Sequence, residues 1–113
     1  MEAIYTVRHA CISDTTELLV LMRELARFEG YIEQFCVTED DLLERGLCEG
    51  SSQQFIAFVA EAGNGEMLGY ALVYMVPFTF DLQPNLILKE LYVRETRRGI
   101  GIGHALMAAV LAS

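Results

Sequence analysis

Residues 90–104 read Glu90-Leu91-Tyr92-Val93-Arg94-Glu95-Thr96-Arg97-Arg98-Gly99-Ile100-Gly101-Ile102-Gly103-His104, and their reading decides the fold. The run from Leu86 to Val93 is apolar and branched enough to predict a β-strand. The residues after Gly99 predict a helix. Closely spaced glycines between a strand and a helix let several backbone N–H groups converge on an anion, and the helix N-terminus adds partial positive charge. Arg97 and Arg98 add more. The chemistry is that of a phosphate or pyrophosphate cradle, with a purely structural strand-to-helix turn as the alternative. A P-loop would end in Gly-Lys-Ser/Thr, and this turn ends Gly-His-Ala. A dinucleotide loop would read Gly-x-Gly-x-x-Gly after the first strand, and the spacing and position here are both wrong. What remains is Arg-x-x-Gly-x-Gly at Arg98, Gly101 and Gly103, behind the strand Glu90-Leu91-Tyr92-Val93.

Working outward, residues 54–61 predict a strand, Gly63-Asn64-Gly65 a turn, and Met67 to about Pro77 a longer strand, together an antiparallel hairpin. Residues 3–9 alternate apolar and polar side chains and predict a first strand. Asp14 with Glu17 has capping-box spacing for a helix that places Leu18, Leu21, Met22 and Leu25 on one face, points Arg23, Glu24 and Arg27 away, and stops at Gly30. A shorter helix is expected from Thr38, capped with Asp41, to Gly46. The order β-α-α-β-β-β-α implies a single α/β (α+β) domain over residues 1–113 with a mostly antiparallel sheet.

The chain has 113 residues, 16 acidic and 8 basic, with a formal net charge of −8. That balance argues against a nucleic-acid surface and suits a cationic small molecule. The acid is concentrated: residues 1–50 carry 11 acids and 4 bases. Cys11, Cys36 and Cys48 form no C-x-x-C pair and are expected to be small buried or half-buried hydrophobes in a reducing cytoplasm, with no metal site. No signal peptide and no apolar run long enough for a membrane span is visible.

The strand, glycine turn and element order resemble the GCN5-related N-acetyltransferase (GNAT) superfamily, with its acyl-CoA N-acyltransferase fold. Leu21-Met-Arg-Glu-Leu-Ala-Arg-Phe-Glu29, Glu33-Gln34 and Val37-Thr-Glu-Asp-Asp-Leu-Leu43 are similar to the diamine (spermidine/spermine) acetyltransferase group within it. The resemblance implies acetyl transfer from acetyl-CoA, as co-substrate, to the primary amine of a polyamine- or thialysine-like small molecule. It assigns Leu91, Tyr92 and Val93 to the pantetheine arm, and Arg98, Gly99, Ile100, Gly101, Ile102, Gly103 and His104 to the pyrophosphate. Glu90 would take the proton that an ammonium must lose before it attacks, through water, unless it is an ordinary strand carboxylate. Phe28 and Glu29 match substrate-contacting positions. Lys89 stands where the diamine enzymes place an acid, and its charge would oppose a nearby ammonium by ~1 kcal/mol at surface dielectric.

The family's domain continues past the glycine-turn helix with a further strand, a helix, terminal strands and a tyrosine acting as general acid, none of which 1–113 supplies. The expectation is therefore an incomplete domain, truncated after that helix. Its Leu86–Val93 edge would be uncovered and would favour a homodimer or larger assembly. Catalysis would be weak or absent. A non-catalytic acyl-CoA-binding or dimerisation module is the alternative.

Overall fold

The chain is seen in a computed structural model that describes residues 5–48, 53–76, 80–81, 85–98 and 100–112. Every predicted element is present, in the predicted order. Strand β1 covers Tyr5–His9, helix α1 Thr15–Glu29, and helix α2 Glu39–Leu42, which runs on into a wide turn at Leu43–Leu47. Strands β2 (Phe55–Ala62), β3 (Met67–Val76) and β4 (Asn85–Val93) follow, then helix α3 (Ile102–Ala112). Short 3-10 turns lie at Ile12–Asp14, Ile32–Gln34 and Glu95–Arg97.

The four strands form one antiparallel sheet in the order β1-β2-β3-β4. Period-two alternation along β2 and β3 gives the sheet two apolar faces, and each needs a cover. On one face α1 buries Leu18, Leu21, Met22 and Leu25 against Ala57, Val59, Tyr70 and Leu72. On the other, α3 buries Ile102, Leu106 and Val110, spaced one turn apart, against Phe58, Ala60, Ala71 and Val73. Fully burying such a side chain stabilises by ~1.5–3 kcal/mol, so the two helix stripes fix the three-layer stack. The Thr38–Asp41 capping box forms as expected, with Asp41 N–H donating to Thr38 Oγ1 at 3.2 Å and Thr38 N–H to Asp41 Oδ2 at 2.9 Å. Helix α1 stops at Gly30 in the left-handed conformation, φ 84°.

Three local expectations need correcting. Asp14 does not cap α1 with Glu17. Its carboxylate takes the Cys11 N–H at 2.7 Å and both Arg8 guanidinium N–H groups at 2.7 and 2.9 Å, because a bidentate charged pair outcompetes a neutral cap. Glu24 does not point into solvent; it is half-buried, accepts from the Tyr92 hydroxyl at 3.0 Å and faces Arg94. Cys11 and Cys36 are exposed, and only Cys48 is half-buried.

One irregularity positions the functional region. Between Leu72 and Val73 the β3–β4 register slips: Leu72 faces Glu90, whereas Val73 faces Leu88, so Lys89 is the extra residue of a bulge. Opposed residues share a face of the sheet. The bulge therefore puts Glu90 on the α1 face with Leu72 and Leu88 on the α3 face with Val73.

Candidate active site

Strand β4 borders two recesses. The first, a cleft of about 500 Å³, lies between the end of α1 and the start of α3 and is lined by Leu25, Phe28, Glu29, Leu91, Tyr92, Val93, Arg98, Gly101, Ile102 and Gly103. Gly101 has φ 85°, a left-handed conformation that L side chains rarely adopt, and this turns the chain from Arg98 into α3. Arg98 Nε–H donates to the Val93 carbonyl at 3.0 Å, and its guanidinium lies 5.3 Å from the Phe28 ring centre and 5.7 Å from that of Tyr92. Phe28 and Tyr92 thus hold a cation at the mouth of the cleft through their negative ring faces. Among the described residues no strand pairs with the outer edge of β4.

The second recess, a cavity of about 580 Å³, lies between α1, α2 and the same sheet face. Its walls are Met22, Tyr31, Gln34, Phe35, Cys36, Val37, Asp41, Leu42, Arg45, Gln54, Phe55, Leu72, Tyr74 and Glu90. Glu90 is half-buried and its Oε1 accepts from the Tyr70 hydroxyl at 2.8 Å. Tyr70 itself is fully buried at 0% exposure. Burial, and after it the Glu90 charge, pushes the Tyr70 phenol far above its ordinary pKa. Tyr31 is pushed up in the same way, first by burial and then by Glu90. Both phenols thus stay protonated, as donors beside the carboxylate. Tyr92 is raised too, by burial and then by its bond to Glu24.

The sequence-derived residues divide between these recesses. Leu91, Tyr92, Val93, Arg98, Gly101, Ile102 and Gly103 come together in the cleft, with Phe28 and Glu29 opposite them. Glu90 alone of the candidates lines the cavity. Ile100 and His104 are exposed and line neither recess, and Gly99 lies outside the described residues. Lys89 is exposed at the bulge and also lines neither, so its ammonium is not part of a wall around Glu90. The sequence does not single out Tyr31, Tyr70 or Tyr74: strand pairing brings Tyr70 and Tyr74 of β3 toward Glu90, and the turn after α1 brings Tyr31.

The acetyltransferase (GNAT) family matches this chain over residues 18–113. Among curated proteins it is 32% identical over 107 residues to spermidine/spermine N(1)-acetyltransferase-like protein 1 of Homo sapiens, covering 88% of this chain and 15% of that protein. It is 32% identical over 111 residues to thialysine N-epsilon-acetyltransferase of Sus scrofa, covering 92% of this chain and 64% of that protein. The chain thus spans less than two thirds of either relative. Among solved structures, an aminoglycoside acetyltransferase from an uncultured soil metagenomic sample, in complex with sisomicin, superimposes with a TM-score of 0.75 at 19% identity. The match covers 96% of this chain and 68% of that one. A ribosomal-protein-alanine N-acetyltransferase from Brucella melitensis biovar Abortus 2308 gives 0.74 at 19% identity, over 96% and 71%. The structural likeness fixes the fold, and the family match, covering most of the chain, fixes its kinship: this chain is a member of the acetyltransferase (GNAT) family.

Proposed function

We propose that the chain serves an N-acetyltransferase that moves an acetyl group from acetyl-CoA to the primary amine of a small molecule. The observation that carries this reading is the placement of two consecutive residues: Leu91 lines the cleft and Glu90 lines the cavity. One recess suits an elongated anionic co-substrate. Its floor is strand β4, whose outer edge no described strand pairs, its end is the glycine turn, and Arg98 supplies positive charge. Gly101, at φ 85°, holds a backbone conformation that L side chains rarely adopt, and neither it nor Gly103 puts a side chain into that end of the cleft. Leu91, Tyr92 and Val93 would hold the pantetheine arm, and Arg98 with Gly101 to Gly103 the pyrophosphate. Bound there, acetyl-CoA supplies an activated acyl group.

The other recess receives the acceptor. An alkylammonium is not a nucleophile until it loses a proton, and the Glu90 carboxylate is the base within the cavity wall, acting directly or through one water. Tyr70, donating from beneath, fixes which way that carboxylate faces. Phe28 and Glu29 close the cleft opposite β4, and the Glu29 charge is felt at Tyr31 in the wall of the neighbouring cavity.

Glu90→Gln tests the reading because it keeps the Tyr70 bond and removes the base. We expect kcat with a primary-amine acceptor to fall ~100-fold or more, with the acetyl-CoA dissociation constant within twofold of wild type, measured by thiol release and calorimetry. An unchanged kcat would remove Glu90 from the reaction, and undetectable acetyl-CoA binding by the wild type would sink the whole reading.

A further inference from the structure

The register of the sheet sets what an acceptor meets beyond Glu90. Opposed residues share a face, so Glu90 lies in one row with Leu72 and Ala57 on the α1 side of the sheet. The next row outward on that side is Phe55, Tyr74 and Ile87, two residues or about 7 Å further along the strands. It holds no charge. Met22 of α1, Leu42 of α2, and Phe35 and Val37 between them face this floor across the cavity. Met22, Leu42, Phe55 and Leu72 belong to the buried core, so folding itself sets these walls.

The charges at the far end cancel. Asp41 and Arg45, one helical turn apart, form an ion pair with Oδ1 3.9 Å from Nε. Asp41 Oδ2 also accepts from the Thr38 N–H and hydroxyl at 2.9 and 3.0 Å, and Arg45 Nη1–H donates to Gln54 Oε1 at 3.3 Å. That end is polar, bonded within itself and neutral. Among the described residues lining the cavity, Asp41, Arg45 and Glu90 are the only Asp, Glu, Lys or Arg, so Glu90 carries the one uncompensated charge. The Glu29 charge adds to the Glu90 end, since both are felt at Tyr31.

Resting on the acetyl-transfer reading above, we propose that the acceptor is a primary monoamine with an apolar tail, its single ammonium at Glu90 and its tail over Leu72, Phe55 and Tyr74. A second ammonium at the far end would give up its water and meet Arg45, with the nearest carboxylate already shared. A carboxylate there would meet Asp41. A methyl group at the same depth has no charge to desolvate and takes apolar surface out of water. The cavity therefore rejects a diamine by withholding a second free carboxylate, and favours the monoamine by the surface it offers.

Hexylamine and cadaverine have the same length and differ at one end, methyl against ammonium. Calorimetry on the full chain should show hexylamine binding about tenfold more tightly than cadaverine. Butylamine should bind about fifteenfold less tightly than hexylamine, near fourfold for each methylene no longer buried. Arg45→Met leaves Asp41 unpaired and should strengthen cadaverine about fivefold, with hexylamine within about twofold, a gain that misfolding cannot produce. Tyr74→Glu, which sets a carboxylate opposite Phe55, should invert the preference. Cadaverine binding as tightly as hexylamine, equal affinities for butylamine and hexylamine, no hexylamine binding, or a preference that neither variant moves would each overturn the proposal. Thiol release scores the transfer separately. Hexylamine that binds with this selectivity and is not acetylated keeps the cavity and sinks the transfer reading; hexylamine and cadaverine acetylated with equal kcat/KM do the opposite.

Discussion

The cleft and the cavity share a wall at Glu90 and Leu91, yet they are made of different material. The cleft is built around one short stretch of chain: a strand edge, the left-handed Gly101, Gly103, and one arginine over two rings. The cavity is built from side chains delivered by α1, the α1–α2 segment, α2 and its following turn, β2, β3 and β4. Backbone recognises what is constant in a co-substrate, and side chains tune what varies in an acceptor. A fold that keeps the first and changes the second can keep one acyl donor while changing its amine. Perturbations should accordingly separate into those that break both recesses and those that touch one.

The largest effect is expected where the two share their support. Gly69 of β3 faces Val93 of β4, and a Cβ there would stand 2.6 Å from the Tyr92 carbonyl oxygen and 3.1 Å from Val93 Cα. Both obstacles are backbone, so β4 itself must move. Gly69→Val should cost about 3 kcal/mol by denaturant unfolding, the upper end for an overpacked interior. It should weaken acetyl-CoA and amine binding together, because Glu90 and Leu91–Val93 ride on the displaced strand. Loss of one without the other would show that the recesses are held independently.

The same contrast explains what was legible beforehand. The cleft follows from a local pattern: Leu91 to Gly103 is one short stretch, and its spacing reports on its geometry without knowledge of any partner. The cavity is nonlocal. Tyr70 reaches Glu90 across twenty residues of sequence, and Tyr92 reaches Glu24 across sixty-eight. Nothing in a lone tyrosine marks such a pairing. Glu24 read as a solvent residue because helix periodicity separates polar from apolar but is blind to a tyrosine from another layer ending at the boundary. Lys89 enters the sequence reading through its family position alone, and a bulge without glycine or proline gives no sign of itself. Helix stripes, hairpin and sheet order were readable because each rests on a periodicity or a turn.

A second perturbation lies away from both recesses and should leave their contrast intact. Arg8 bridges Asp14 and Glu61 with contacts of 2.7 and 2.9 Å, tying β1 to the start of α1 and to β2. Its guanidinium, foremost by hydrogen bonding, holds the Asp14 carboxyl below its ordinary 3.8. A carboxyl depressed in the folded state contributes stability that is complete above the unfolded value and is lost as pH falls through the folded value. Asp14→Asn should therefore cost about 2 kcal/mol near neutrality, the scale of a hydrogen bond to a charged group. The gap from wild type should close in acid below 3.8, as read from urea midpoints across pH. A gap that persists at the acid end would mean that packing, not charge, holds the corner. Binding to either recess should not change.

The smallest effect sharpens the comparison most, because it is confined to one side. Arg98 is exposed, so its contacts with Phe28, Tyr92 and the Val93 carbonyl contribute little to folding. Its charge at the end of the cleft matters to an anion, and matters less as salt screens it. Arg98→Met should leave the urea midpoint near that of the wild type and weaken acetyl-CoA binding about fivefold at low ionic strength. That deficit should shrink toward twofold or less at ~1 M salt, where the screening length falls to ~3 Å. Affinity for a primary amine in the cavity should stay constant throughout. A change in amine affinity would mean that the Phe28–Arg98 contact shapes both recesses, which would make the end of α1 a second shared wall beside β4.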